Sequence, residues 1–218
     1  MGEFDLIARY FTRPTPTAVL GVGDDCALLQ PAPGMQMAIS TDMLVAGHHF
    51  FADVDPRTLG HKALAVNLRD LAACGARPLA FTLALSLPSV DEAWLAAFSD
   101  GLLALADLHG CALVGGDTTR GPLNICITVF GEVPATHQPQ ASGIATHALL
   151  RRGAQPADDV YVSGTLGDAR LALDALLGRN PLPPALLAAA RQRLEMPSPR
   201  IALGMALRGI ASAAADIS

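Results

Sequence analysis

The feature that most constrains the fold is the run from Asp55 to Pro88, DPRTLGHKALAVNLRDLAACGARPLAFTLALSLP, which carries its own start, stop and change of period. Asp55 is a good N-cap, and Pro56 follows at the first helical position, where a missing N–H costs nothing. Gly75 supplies the left-handed residue that ends a helix. This spacing predicts a helix over 55–76. Directly after it, PLAFTLALSLP (78–88) reads as a strand bounded by prolines. Helix and strand in such close succession point to a mixed α/β, or α+β, fold.

The same punctuation recurs elsewhere. SVDEAWLAAFSDGLLALADLHG (89–110) has acids in its first turn and Gly110 at its end, and reads as a second long helix. MQMAISTD (35–42), CALVGGD (111–117) and LNICITVFGEV (123–133) read as strands, and MGEFDLIARYF as a short amphipathic helix. From Pro134 to about His147 the composition turns to Thr, His, Gln, Pro, Ser and Gly, which marks a surface loop and a domain boundary. Beyond it come a predicted strand, DDVYVSG (158–164), and helices at 167–177, 183–194 and 199–208. The expected organisation is an N-terminal domain at 1–134, a linker at 135–148 and the start of a second α/β domain at 149–218.

Charge and cysteine usage narrow the class. A net charge of −5 disfavours a nucleic-acid partner, which needs a basic excess to displace counterions. No apolar stretch approaches the roughly 20 residues of a membrane span, and the N-terminus has no signal-peptide pattern. Cys26, Cys74, Cys111 and Cys126 follow no zinc-site spacing and read as buried thiols in a reducing compartment. A soluble, cytoplasmic protein is expected.

The acids carry the chemistry. Asp24 and Asp25 in GVGDDCALL, Asp42 in STD, Asp117 in GGDTT and Asp216 all stand at the ends of apolar runs. In a strand Asp24 and Asp25 would point to opposite faces, so one of them could enter a shared site. Asp70 falls on one helical stripe with Leu59, Ala63 and Val66, where a lone carboxylate is costly unless paired or metal-bound. One such Asp could pair with an arginine. Four, counting Asp25, Asp42, Asp70 and Asp117, are better explained by hard oxygen ligands for Mg²⁺. GGDTT could also bring backbone N–H groups to phosphate oxygens. The P-loop, nucleophile-elbow and zinc-protease motifs are absent.

In order along the chain, GEFDLIARYF, GVGDDCALL, STDMLVAGHHF, KALAVNLRDLAACGARP, GGDTTRGPL, GEVP and ADIS resemble the thiamine-monophosphate kinase family. That family shares an ATP-dependent superfamily with aminoimidazole ribonucleotide synthetase and selenophosphate synthetase. The resemblance implies two α/β domains, a homodimer paired through the N-terminal sheets, and ATP bound in the cleft. It implies direct transfer of the γ-phosphoryl of ATP to thiamine monophosphate, giving thiamine diphosphate, with several Mg²⁺ ions. Carried over by motif, the Mg²⁺ ligands are Asp25, Ser40, Thr41, Asp42, Asp70, Asp117 and Asp216. The nucleotide contacts are Gly116, Asp117, Arg151 and Ser218, and His49 contacts the thiamine phosphate. No protein base is expected, because the acceptor phosphate is already an anionic nucleophile. The alternatives are a sister ATP-dependent enzyme with another acceptor, a non-catalytic Mg·ATP-binding dimer, and a metal-dependent phosphatase.

Overall fold

A computed structural model describes residues 2–137 and 145–217. The elements run α1 (Glu3–Tyr10), β1 (Met35–Val45), α2 (Pro56–Cys74), β2 (Arg77–Leu87), α3 (Glu92–His109), β3 (Ala112–Arg120) and β4 (Asn124–Pro134). A 3₁₀ turn at Arg151–Gly153 leads to α4 (Asp168–Leu176), α5 (Pro184–Glu195) and α6 (Ile201–Ala206). The four strands form one sheet in the order β1-β4-β2-β3. β4 lies antiparallel to both β1 and β2, whereas β2 and β3 run parallel with α3 as their crossover.

Local chemistry sets the long helices. The Asp55 carboxylate accepts from the N–H groups of Arg57 and Thr58, at 2.8 and 3.0 Å, and so satisfies two donors that a helix start leaves orphaned. Asp91 does the same for Ala93 and Trp94 at the start of α3. Gly75 and Gly110 end the two helices in the left-handed region, as the sequence predicts. α2 and α3 cover one face of the sheet. Leu59, Leu64, Leu68, Phe98 and Leu102 pack there against Phe81, Ile127 and Val129 and are essentially inaccessible. The two helices approach at glycines. A Cβ on Gly60 would collide with the Phe98 carbonyl oxygen, and one on Gly101 with that of Arg57.

The other sheet face is open along much of its length. Ile39 and Met43 of β1 are 60% and 55% exposed there, and Thr41 bonds Thr128 across β1 and β4 at 2.9 Å. One end of this face is covered by the loop before β1, where Ala18, Ala27 and Leu29 pack on Leu79, Ala80 and Val114.

Three expectations are corrected. Residues 158–164 form no strand. Val160 and Tyr161 are 92% and 86% exposed, and the segment pairs with no strand of the described chain. Asp24 and Asp25 sit in a tight turn beside the Leu20–Leu28 bridge, where the Asp24 carboxylate accepts from the Asp25 N–H at 2.8 Å. Both are exposed. Of the four free cysteines only Cys111 is buried, and its apolar surroundings push the thiol up to about 12; Cys26 is exposed.

Glu132 is a buried acid with a structural duty. It is 1% exposed, accepts from the Ala32 N–H at 3.1 Å and pairs with Arg77 across β4 and β2. Burial opposes its ionisation. The Ala32 N–H and the Arg77 guanidinium outweigh burial and hold the carboxyl below its ordinary 4.5. A depressed folded-state value gives stability that is present above about 4.5 and is lost as pH falls through the folded-state value. Glu132→Ala is expected to cost about 2 kcal/mol at neutral pH, since it strands the Ala32 donor. Chemical denaturation should show that penalty shrinking as pH falls below the ordinary glutamate value. A penalty that is the same on both sides of that value would refute the assignment.

A candidate carboxylate cleft beside α2

β1 and α2 meet so that their polar side chains share one edge of the sheet. Asp42 lies opposite Ile127, which in turn faces Leu83, so its side chain is on the helix-covered face. Ser40, two residues earlier, shares that face and donates its hydroxyl to Asp70 Oδ2 on α2. Between them, Asn67 receives the Asp42 N–H on Oδ1 at 2.9 Å and donates through Nδ2 to the Ala63 carbonyl at 3.0 Å. Asn67 is 1% exposed, so this amide joins edge strand to helix from inside the core.

Asp216 completes the group from the far end of the chain. α6 docks on α2 with so little clearance that a Cβ on Gly204 would collide with the Ala72 carbonyl oxygen. The segment after α6 then returns along α2, where Arg69 donates to the Ile217 carbonyl at 3.1 Å. Asp216 stands 3.4 Å from the Arg151 guanidinium, with its own side chain 13% exposed. Ser40, Asp70, Arg151 and Asp216 line one cleft of about 600 Å³, whose apolar wall includes Leu71 and Leu149.

The electrostatics of the cleft are only partly compensated, by the Arg151 guanidinium beside Asp216. Burial raises the Asp42 pKa, and the charges of Asp70 and Asp216 raise it further, against the opposing pull of Arg69 and His49. Among the described residues neither Asp42 nor Asp70 is ion-paired with an arginine. The cleft is therefore a set of hard oxygens in excess of nearby positive charge. Among the described residues no three carboxylate, imidazole or thiol groups close on a single point to hold an ion by themselves. That pattern suits Mg²⁺, which takes one or two carboxylates and completes its octahedron with water and phosphate oxygens.

The remaining predicted residues lie apart from this group. Asp25 is exposed in the turn before β1, and Thr41 points to the open sheet face. Asp117 is opposite Ala84 on edge strand β3, so it too belongs to the open face. Gly116 precedes it with φ +150°, and a Cβ there would strike the Leu83 carbonyl oxygen. His49 is exposed in the turn that follows β1, outside the cleft lining but near enough to Asp42 to oppose the rise in its pKa. Ser218 lies outside the described residues. The structure thus brings together Ser40, Asp42, Asp70, Arg151 and Asp216. Asn67 and Arg69 are the residues that sequence reasoning missed. Their signal was available: NLRD places an amide and a guanidinium beside an acid in an otherwise apolar helix.

Similarity to known proteins follows the same regions. Thiamine-monophosphate kinase from Salmonella typhimurium is 51% identical over 221 residues, taking in 100% of this chain and 65% of the relative. The Escherichia coli K12 protein of the same name is 49% identical with the same coverage. The chain thus spans about 65% of the length of these curated relatives. The crystal structure of thiamine-monophosphate kinase from Stenotrophomonas maltophilia K279a superposes with a TM-score of 0.79 at 45% identity, covering 96% of this chain and 64% of that one. A structure described as AaThiL complexed with AMPPCP and TMP gives 0.73 at 28% identity, covering 84% and 56%. Residues 23–133, which hold the whole sheet and both long helices, match the AIR synthase related protein family, N-terminal domain. The chain belongs to that family.

Proposed function

We propose that this chain is the Mg·ATP-binding part of a thiamine-monophosphate kinase, which passes the γ-phosphoryl of ATP directly to the phosphate of thiamine monophosphate to form thiamine diphosphate. The observation that carries the reading is the convergence of Ser40, Asp70 and Asp216 on one cleft beside α2, with Asp42 close enough for the charges of Asp70 and Asp216 to raise its pKa. It is supported by the relatives of that name and by the neighbour complexed with AMPPCP and TMP.

The obstacle in such a reaction is repulsion between two polyanions rather than weakness of the nucleophile. Bound Mg²⁺ supplies the charge neutralisation and helps align the phosphates for in-line attack. Asp42, Asp70 and Asp216 would share the Mg²⁺ ions between them, one or two carboxylates to each ion, with Ser40 orienting the Asp70 carboxylate through its hydroxyl. Arg151, 80% exposed beside Asp216, offers a guanidinium to the nucleotide phosphates. His49 offers an imidazole to the thiamine phosphate. Ser218 is proposed as a further nucleotide contact.

Thr41, Gly116 and Asp117 keep their proposed roles on the open sheet face, and Asp25 keeps its own in the exposed turn before β1. A homodimer joined sheet to sheet is part of the same reading, since it would cover Ile39 and Met43 and bring the partner's elements against these residues. A cytoplasmic setting accords with four free cysteines. The division into domains at 1–134 and 149–218 accords with a sheet and its two covering helices that are complete by Pro134.

The test is an assay with Mg·ATP and thiamine monophosphate, looking for thiamine diphosphate, on this chain and on a polypeptide of the relatives' full length. Product from the longer polypeptide supports the reading. Product from neither would favour a sister enzyme or a nucleotide-binding module.

A further inference from the structure

Lys62 is the only lysine in the chain, and it is spent on a backbone carbonyl. Its ammonium donates to the His49 carbonyl oxygen at 2.8 Å. Holding the group there is costly: burial lowers the Lys62 pKa, and the Arg69 charge lowers it further, while Glu195 on α5 opposes them. A residue so placed needs a reason beyond covering the helix surface.

The turn it grips offers one. After β1 the chain reverses through Gly47, at φ +78°, whose N–H bonds the Phe50 carbonyl at 3.0 Å. The His49 N–H donates to the Val45 carbonyl at 3.0 Å, and the Val45 N–H donates in return to His49 Nδ1 at 2.9 Å. A ring nitrogen that accepts a backbone N–H carries no proton, so the neutral imidazole bears its hydrogen on Nε2. Backbone, ring and carbonyl of His49 are thus each tied, two ties from Val45 and the third from Lys62.

We propose that Lys62 is a positioning residue: by gripping the His49 carbonyl it holds the 45–50 turn so that His49 presents its Nε2–H as a donor to the phosphate of the acceptor substrate. The identity of that substrate rests on the kinase reading above; the tautomer does not. The ammonium also sets the turn's distance from α2, and hence from the carboxylate cleft that Asn67 and Asp70 build on the same helix. Lys62 itself touches neither nucleotide nor acceptor in this account.

Two measurements test the idea separately. The first uses this chain labelled with ¹⁵N-histidine, at about pH 8 where imidazoles are neutral. Long-range ¹H–¹⁵N spectra should show His49 as the Nε2–H tautomer in the parent and in Lys62→Arg, which keeps a donor. They should show a tautomer mixture in Lys62→Met, with the other histidines unmoved. Lys62→Leu, which also lacks a donor, replaces Lys62→Met should the latter fail to fold. An unchanged His49 spectrum after loss of the ammonium would overturn the proposal, as would equal disturbance in the Arg and Met variants. The second measurement uses the full-length polypeptide. Lys62→Met should raise KM for thiamine monophosphate roughly tenfold, the value of one hydrogen bond, and leave KM for ATP unchanged. Equal changes in both constants would overturn it. If the full-length parent makes no thiamine diphosphate, the kinase reading falls while the spectra still decide the role of Lys62.

Discussion

Gly101→Ala is expected to destabilise the protein by about 3 kcal/mol, despite the gain in helix propensity of up to about 1 kcal/mol that alanine brings. The cause is reciprocal. The new methyl would meet the Arg57 carbonyl oxygen, just as one on Gly60 would meet that of Phe98. Neither obstacle is a side chain that could rotate away. The helices α2 and α3 must separate, and the gap opens where Leu59, Leu64, Phe98 and Leu102 are sealed from water. For a chain of this size the loss corresponds to a fall in Tm of roughly 6–12 °C. Thermal unfolding followed by circular dichroism would measure it, and an unchanged Tm would mean that the helices do not approach this closely.

The second large effect is on activity alone. Asp42→Asn and Asp70→Asn, in the full-length polypeptide, are expected to lower kcat by at least about 100-fold, because each removes an anionic ligand from the set that would hold the phosphate-neutralising Mg²⁺. Neither should lower Tm. For Asp42 the direction follows from its raised pKa: burial and the charges of Asp70 and Asp216 disfavour the ionised carboxylate in the folded state. Replacing it by a neutral amide of the same shape removes a cost of folding while removing the function, a trade that reactive sites commonly show. Kinetics and thermal melts on the same preparations would check both halves. Normal turnover in either variant would remove that residue from the mechanism. Loss of activity accompanied by loss of stability would assign it to structure.

Much of this was legible in the sequence for a physical reason. The caps at Asp55, Gly75 and Gly110 act within a few residues, so their chemistry is written locally and the two long helices fall close to where it says. Asp70 was also legible, since a carboxylate on a stripe with Leu59, Ala63 and Val66 contradicts its surroundings. Its partner was not. Asp70 meets the hydroxyl of Ser40 on β1, rather than an arginine, and only the docking of helix on strand decides that. The face of Asp117 was hidden for a similar reason. Asp117 follows a register shift between Phe81 and Thr82, and its side follows from pairing with Ala84, which no local pattern encodes. The failure at 158–164 has another origin. VYV has the alternation and the β-branched residues of a strand, yet a strand exists only with a neighbour to share its hydrogen bonds, and propensity alone cannot supply one.

The contact at Gly204 gives the cleft an unusual kind of tolerance. Because α6 rests on the main chain of α2 at Ala72, the spacing between the two helices is fixed by peptide geometry, with no side-chain volume in between. Substitutions among neighbouring apolar residues can change without carrying the third acid, Asp216, nearer to or farther from the first two. A single methyl at residue 204 would do the reverse, altering the reach of the returning segment while leaving every acidic group in the sequence intact.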